Sequence, residues 1–170
     1  RAALRHPERV RALVLMNTDA GPESAFKAFK YSVLRAGLKS LGPKLIVPSL
    51  LPIFLGRTTL RERADLREPV SRLFLSMRVP SIAEGVRTIV GRDDIRAELG
   101  RISCPTLVVA GEEDQPLPPA RSQDIARRIP GAELVVLPRC GHLSALESPE
   151  ELNRHLLSFL DRMVTPASNA

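Results

Sequence analysis

The stretch Pro105-Thr-Leu-Val-Val-Ala-Gly-Glu-Glu-Asp114 decides how the rest of the chain is read. Residues 106–110 form a short continuous apolar run, entered through Pro105 and ended by Gly111, as in a strand buried on both faces of a parallel sheet. Two other segments share this character. Residues 10–17 contain Ala-Leu-Val-Leu-Met after His6-Pro7-Glu8, where Pro7 stops whatever helix residues 1–5 belong to. Residues 133–137, Glu-Leu-Val-Val-Leu, supply a third strand. Between the second and third, Ser122, Ile125, Ala126 and Ile129 recur at helical spacing over residues 120–129, and Pro130-Gly131 closes that helix. A short helix joining two parallel strands predicts a right-handed βαβ unit.

From residue 19 to about 100 the pattern turns helical, broken by Pro and Gly. Ser24 is placed to cap a helix carrying Phe26, Phe29, Val33 and Gly37 on one face. Ser81 and Glu84 form a capping box ahead of Val86, Ile89 and Val90, and residues 60–77 read as an Arg-rich amphipathic stretch split by Pro69. The last helix carries the clearest local signal. Ser148 at the cap, Pro149 at the first helical position and Glu151 two further on precede an apolar stripe of Leu152, Leu156, Phe159, Leu160 and Met163. A frayed tail is expected after it, over residues 164–170.

With 170 residues, 44% of them hydrophobic, and a mean hydropathy of -0.04, the chain suits one ordinary soluble domain or most of one. Disorder is excluded by the apolar content, and a disulfide scaffold by the presence of only Cys104 and Cys140. Two dispersed thiols suit a reducing, cytoplasm-like compartment. No apolar run reaches the roughly 20 residues of a membrane span, since residues 45–55 are interrupted by Pro48 and Pro52. The net charge of +6 comes mostly from Arg scattered singly or in pairs among 19 acids, with one Tyr and no Trp for base stacking. That is a solvated surface, and no nucleic-acid partner is expected. Three dispersed histidines match no metal-ligand spacing. The opening residues read as the middle of a fold, so a fragment is expected and a signal peptide is left open.

In an open parallel sheet, function gathers beyond the carboxyl ends of the strands. Gly111-Glu-Glu-Asp114 follows the second strand and Pro138-Arg-Cys-Gly-His142 the third. A carboxylate and an imidazole on adjacent loops serve nucleophilic hydrolysis, the imidazole as base and the carboxylate as its orienter. On the residues alone, Glu112 and Glu113 stay open as rivals to Asp114. His6 and His155 are expected at the solvent, and Cys140 is expected to pack its loop.

Three stretches resemble the α/β-hydrolase superfamily: residues 5–15 (Arg5-His-Pro-Glu-Arg-Val-Arg-Ala-Leu-Val-Leu15), residues 102–114, and residues 141–150 (Gly141-His-Leu-Ser-Ala-Leu-Glu-Ser-Pro-Glu150). They are similar to its sixth, seventh and eighth strands with their loops, with general resemblance to carboxylesterase and enol-lactonase-like members. The resemblance implies an α/β fold, the C-terminal part of that architecture. Residues 1–18 and 101–163 would form the core and residues 19–100 a helical cap. It also implies Asp114 as triad acid, His142 as triad histidine and no cofactor. The nucleophile of a Gly-x-Ser-x-Gly elbow has no match here; Ser40 comes nearest, with Gly42 after it but Leu38 before it. Nucleophile and oxyanion hole are therefore expected upstream. Leu117 and Leu143, just after the two triad positions, are expected in the wall of a site for a small apolar ester or lactone, and Phe26, Phe29, Leu50, Leu51, Ile53, Phe54, Phe74 and Leu75 are further candidates to line an acyl pocket. Carbon-carbon bond, epoxide or haloalkane hydrolysis, or a non-catalytic truncated or partner chain, are the alternatives.

Overall fold

The computed structural model describes residues 1–164. Its sheet has three parallel strands in the order β1 (Leu13–Met16), β2 (Thr106–Gly111), β3 (Glu133–Leu137). A short helix, α1 (Ala2–Arg5), precedes β1, and five helices separate β1 from β2: α2 (Ala25–Leu41), α3 (Pro43–Phe54), α4 (Arg57–Glu62), α5 (Ala64–Ser76) and α6 (Val79–Val90). Helix α7 (Pro119–Arg128) crosses from β2 to β3, and α8 (Ser144–Glu147) and α9 (Pro149–Val164) follow.

Strand β2 is buried along its whole length because its alternating side chains enter two different cores. Val108 packs with Ile125 of α7, Ile129 just after it, Leu99, Ile102 and Ala20, joined by Leu13 and Leu15 of β1. Leu107 and Val109 turn the other way, onto Leu152 and Phe159 of α9, Leu137 and Cys140, joined by Val14 and Met16. This two-sided burial is why the run reads as uninterrupted apolar sequence.

Several local expectations are corrected. The first strand is shorter than residues 10–17, since Asn17 turns into the left-handed region at φ 44°. Pro69 lies inside α5, where its missing N–H forfeits one bond near the solvent-exposed start of the helix, and the break falls at Arg63 instead. Pro48 and Pro52 likewise sit within α3. Ser81 does not cap: α6 begins two residues earlier after Arg78, with Pro80 in its first turn, and Glu84 pairs with Arg87. Glu151 pairs with Arg154 across one helical turn. Ser24 does cap α2, accepting from the Lys27 N–H. Yet the α2 face it introduces is open, with Phe26 and Phe29 each 66% exposed and Val33 55% exposed. Ile53 and Leu75 are exposed too, as is Leu160 outside the α9 stripe. Val164 still belongs to α9, and the rest of the expected tail, residues 165–170, lies outside the described residues.

The five-helix block is fastened where it leaves and rejoins the sheet. Arg92 donates to the Gly21 carbonyl, Asp19 and Glu23, and Arg121 of α7 donates to the same Asp19 oxygen at 2.8 Å. The Asp19 and Glu23 side chains are 4% and 1% exposed, so their pairing with guanidinium groups offsets a real desolvation cost.

Among the described residues β1 pairs with β2 alone, so its other edge carries unpaired backbone groups beside half-buried Leu13, Val14, Leu15 and Met16. The 170-residue chain by itself is expected to show helical circular dichroism, to self-associate on size exclusion and to melt without a cooperative transition. A monomer with a sharp two-state melt would show that the open edge is tolerated.

Candidate active site

Asp114 and His142, each beyond the carboxyl end of its strand, are brought together. Nδ1 of His142 lies 2.8 Å from Oδ2 of Asp114, whose side chain is fully buried while the imidazole keeps 21% of its surface. The β2–β3 pairing continues into these loops, the Glu112 N–H donating to the Leu137 carbonyl and the Glu113 N–H to that of Cys140. An ionised carboxylate can only accept, so this bond puts the proton on Nδ1 and leaves the Nε2 lone pair free.

Two other donors fix the carboxylate. Leu117 N–H donates to Oδ1 at 2.8 Å and Asn17 Nδ2 to Oδ2 at 2.9 Å. Asn17 is oriented in turn by the Ser144 hydroxyl, which donates to its Oδ1 at 2.6 Å. Asn17 was missed in the sequence; the available signal is a polar side chain of a type that tolerates positive φ directly after an apolar strand. Glu147 was missed as well. It is 8% exposed and accepts from the N–H groups of Gly141 and Leu143, on either side of His142. The His142 N–H itself donates to the Phe54 carbonyl, and the two rings lie 5.4 Å apart with Phe74 beyond.

The rival carboxylates are engaged elsewhere. Glu112 is exposed and accepts from the Arg139 N–H. Glu113 accepts from the Thr58 N–H and hydroxyl; burial pushes its carboxyl up, but these bonds, with Arg57 and Arg61 nearby, hold it below the usual range. Leu117 and Leu143 are half-buried, and their backbone N–H groups serve Asp114 and Glu147. His6 is exposed beside Glu8, and His155 is half-buried on α9, less open to solvent than expected. A cleft of about 690 Å³ opens between α2, α3 and α6, and neither Asp114 nor His142 lines it. Among the described residues no group of His, Cys, Asp and Glu could hold a metal ion, and no helix is long and apolar enough to cross a membrane.

A family profile for the alpha/beta hydrolase fold matches residues 1–149. The chain belongs to that family. The 2-hydroxymuconate semialdehyde hydrolase of Pseudomonas putida is 33% identical over 174 residues, taking in 93% of this chain and 56% of that protein. A thermophilic esterase from Thermogutta terrifontis superposes with a TM-score of 0.87 at 28% identity, over 96% of this chain and 60% of the esterase. The enol-lactonase from Burkholderia xenovorans LB400 superposes at 0.84 with 23% identity over 94% of this chain and 60% of that one, a likeness of fold. These relatives are hydrolases, and this α/β-hydrolase chain spans a little over half of their length.

Both cysteines are free, and Cys140 is 1% exposed, its thiol pushed up to about 12 by burial and then by the Glu147 and Asp114 carboxylates. A raised thiol pKa disfavours the thiolate, which at pH 8 falls to about one part in 10⁴. Cys140 is therefore expected to resist iodoacetamide at pH 8 in the folded protein, and labelling should appear only on denaturation. Peptide mapping by mass spectrometry checks this.

Proposed function

We propose that this chain supplies the acid and the general base of a serine hydrolase acting on a small, largely apolar carboxylic ester or lactone. The observation that carries the reading is the Nδ1 to Oδ2 bond of His142 and Asp114, held by Asn17 and Leu117 and leaving Nε2 as the free base. No Ser of the chain stands in Gly-x-Ser-x-Gly, so we assign the nucleophile and the oxyanion-hole donors to a part of the parent protein outside these 170 residues.

In this reading Nε2 takes the proton of the serine hydroxyl as its oxygen attacks the carbonyl carbon. The departing alkoxide then takes that proton, leaving an acyl-enzyme. Water, deprotonated by the same nitrogen, attacks the acyl carbon, and serine leaves reprotonated. Asp114 keeps the imidazole in the required tautomer and stabilises the imidazolium. Phe54 beside His142 and Phe74 behind Phe54, with Leu117 and Leu143, supply the apolar wall that suits an uncharged acyl group. Residues 19–100 act as a cap over a core of residues 1–18 and 101–163, working in the cytoplasm with its thiols reduced and without a cofactor. The Pseudomonas putida relative's name favours a second reading, hydrolysis of a semialdehyde.

Esterase assays with p-nitrophenyl acetate test the proposal. The 170-residue chain alone is expected to be inactive, because His142 has no nucleophile to activate. In the parent protein, His142→Ala and Asp114→Asn are each expected to lower kcat on the order of 10⁴-fold. Asn17→Ala is expected to lower it on the order of tenfold, since Asp114 keeps its other two partners. Glu112→Gln should leave the rate unchanged. Activity that survives His142→Ala would overturn the assignment.

A further inference from the structure

The five-helix block meets the loops of both Asp114 and His142 at the corner of residues 52–58, where α3 passes into α4. Gln115 Nε2 donates to the Pro52 carbonyl at 2.8 Å, and the His142 N–H to that of Phe54 at 2.9 Å. The Gly56 N–H donates to Glu147 Oε2 at 2.7 Å, and the Thr58 N–H to Glu113 Oε2 at 2.7 Å.

Glu147 differs from the other partners at this corner. Its Oε2 accepts from both Gly56 and, at 3.1 Å, Gly141, while Oε1 accepts from Leu143 at 3.0 Å. One buried carboxylate thus holds the residue before His142, the residue after it and the corner of the helical block. With the His142 N–H committed to Phe54, three successive backbone N–H groups are spoken for. The peptide planes on either side of the imidazole have no freedom to rotate separately.

There is also no slack in the contact. A Cβ on Gly56 would lie 2.9 Å from the Gly141 nitrogen and 2.8 Å from Glu113 Oε2, and one on Gly141 would collide with the Gly56 nitrogen. The two backbones touch directly, so a displacement of the corner carries over to residues 141–143.

We propose that Glu147 is a positioning residue for His142, through which the α3–α4 corner of the helical block sets the orientation of the imidazole. The proposal rests on the reading of His142 as the general base. Glu147 touches neither the imidazole nor Asp114 in its hydrogen bonding, so its effect on chemistry passes through the backbone of the His142 loop.

The test uses the parent protein and two variants. Glu147→Gln keeps the shape but replaces one acceptor by an NH₂ donor, so at least one of the three N–H groups must face a donor. Gly56→Ala leaves the carboxylate in place and forces the corner away from it. Each is expected to lower kcat by up to about 100-fold, the scale of a misplacement near 1 Å, with KM within about twofold of the parent value. Each is also expected to shift the imidazole nitrogen resonances of His142 in ¹⁵N NMR. Unchanged kcat and unchanged resonances in Glu147→Gln would overturn the positioning role, and the same in Gly56→Ala would overturn the link to the corner. If Glu147→Gln does not fold, Gly56→Ala carries the test. A parent protein without hydrolase activity would refute the proposed function, while the His142 resonances of the variants would still decide the positioning.

Discussion

Where β2 ends, two stretches of main chain pass with no side chain between them. A Cβ on Gly111 would fall on the carbonyl oxygens of Gly141 and Cys140, so the end of the central strand and the His142 loop are in contact as bare backbone. Asp114 follows Gly111 by three residues and His142 follows Gly141 directly. Their hydrogen bond is therefore a consequence of main-chain geometry, set before either side chain chooses a rotamer. The same closeness lets β2–β3 pairing run on past both strands, through the Glu112 and Glu113 N–H groups.

The carboxylates around that contact are satisfied in two different ways. Asp114 and Glu147 are buried and take their hydrogen bonds from backbone N–H groups, the Asn17 amide and the His142 ring, with no Lys or Arg among these donors. Asp19 and Glu23 are buried against Arg92 and Arg121. The difference has an electrostatic consequence. A guanidinium on Asp114 would cancel much of its charge, and in the proposed hydrolysis an imidazolium developing on His142 would lose the field that stabilises it. Neutral donors satisfy the oxygens and leave that field intact. At the stem of the helical block, which the proposed proton path does not touch, full ion pairing anchors the buried carboxylates.

These two arrangements also explain how far the sequence could be read. Strands β2 and β3, helix α7, the buried stripe of α9 and the placement of Asp114 and His142 beyond strand ends follow from local periodicity and from where apolar runs stop. Asn17 and Glu147 escaped because what distinguishes them is a partner distant in the fold: Asn17 reaches Asp114 97 positions on, and Glu147 reaches Gly56 91 positions back. In sequence each is an ordinary polar residue at an element boundary. The same reason separates Glu113 from Asp114 only in three dimensions, through Thr58. Ser81 misled because a capping-box spacing is a short pattern that recurs by chance, and Pro80 offered a competing helix start. The open face of α2 misled because apolar spacing announces that a face wants cover without saying that these residues provide it.

The helical block is fixed at two places and free between them. Its stem is held by the Asp19, Glu23, Arg92 and Arg121 cluster, and the first turn of α2 is drawn to the loop after Asp114 by Lys27, whose ammonium donates to the Pro116 carbonyl at 2.6 Å. Its α3–α4 corner is held by Gln115, His142, Glu147 and Glu113. Rigid hinging of the whole block would break both sets together, including bonds to buried carboxylates that lose most when left unpaired. Any displacement of the block that keeps both sets of bonds is therefore confined to segments outside the two anchors: the far part of α2, the start of α3, and α5 and α6. These segments expose Val33, Leu41, Leu45, Leu73 and Ile89. In the proposed reading, access and base geometry are thereby separated in space, which allows the first to vary while the second stays fixed.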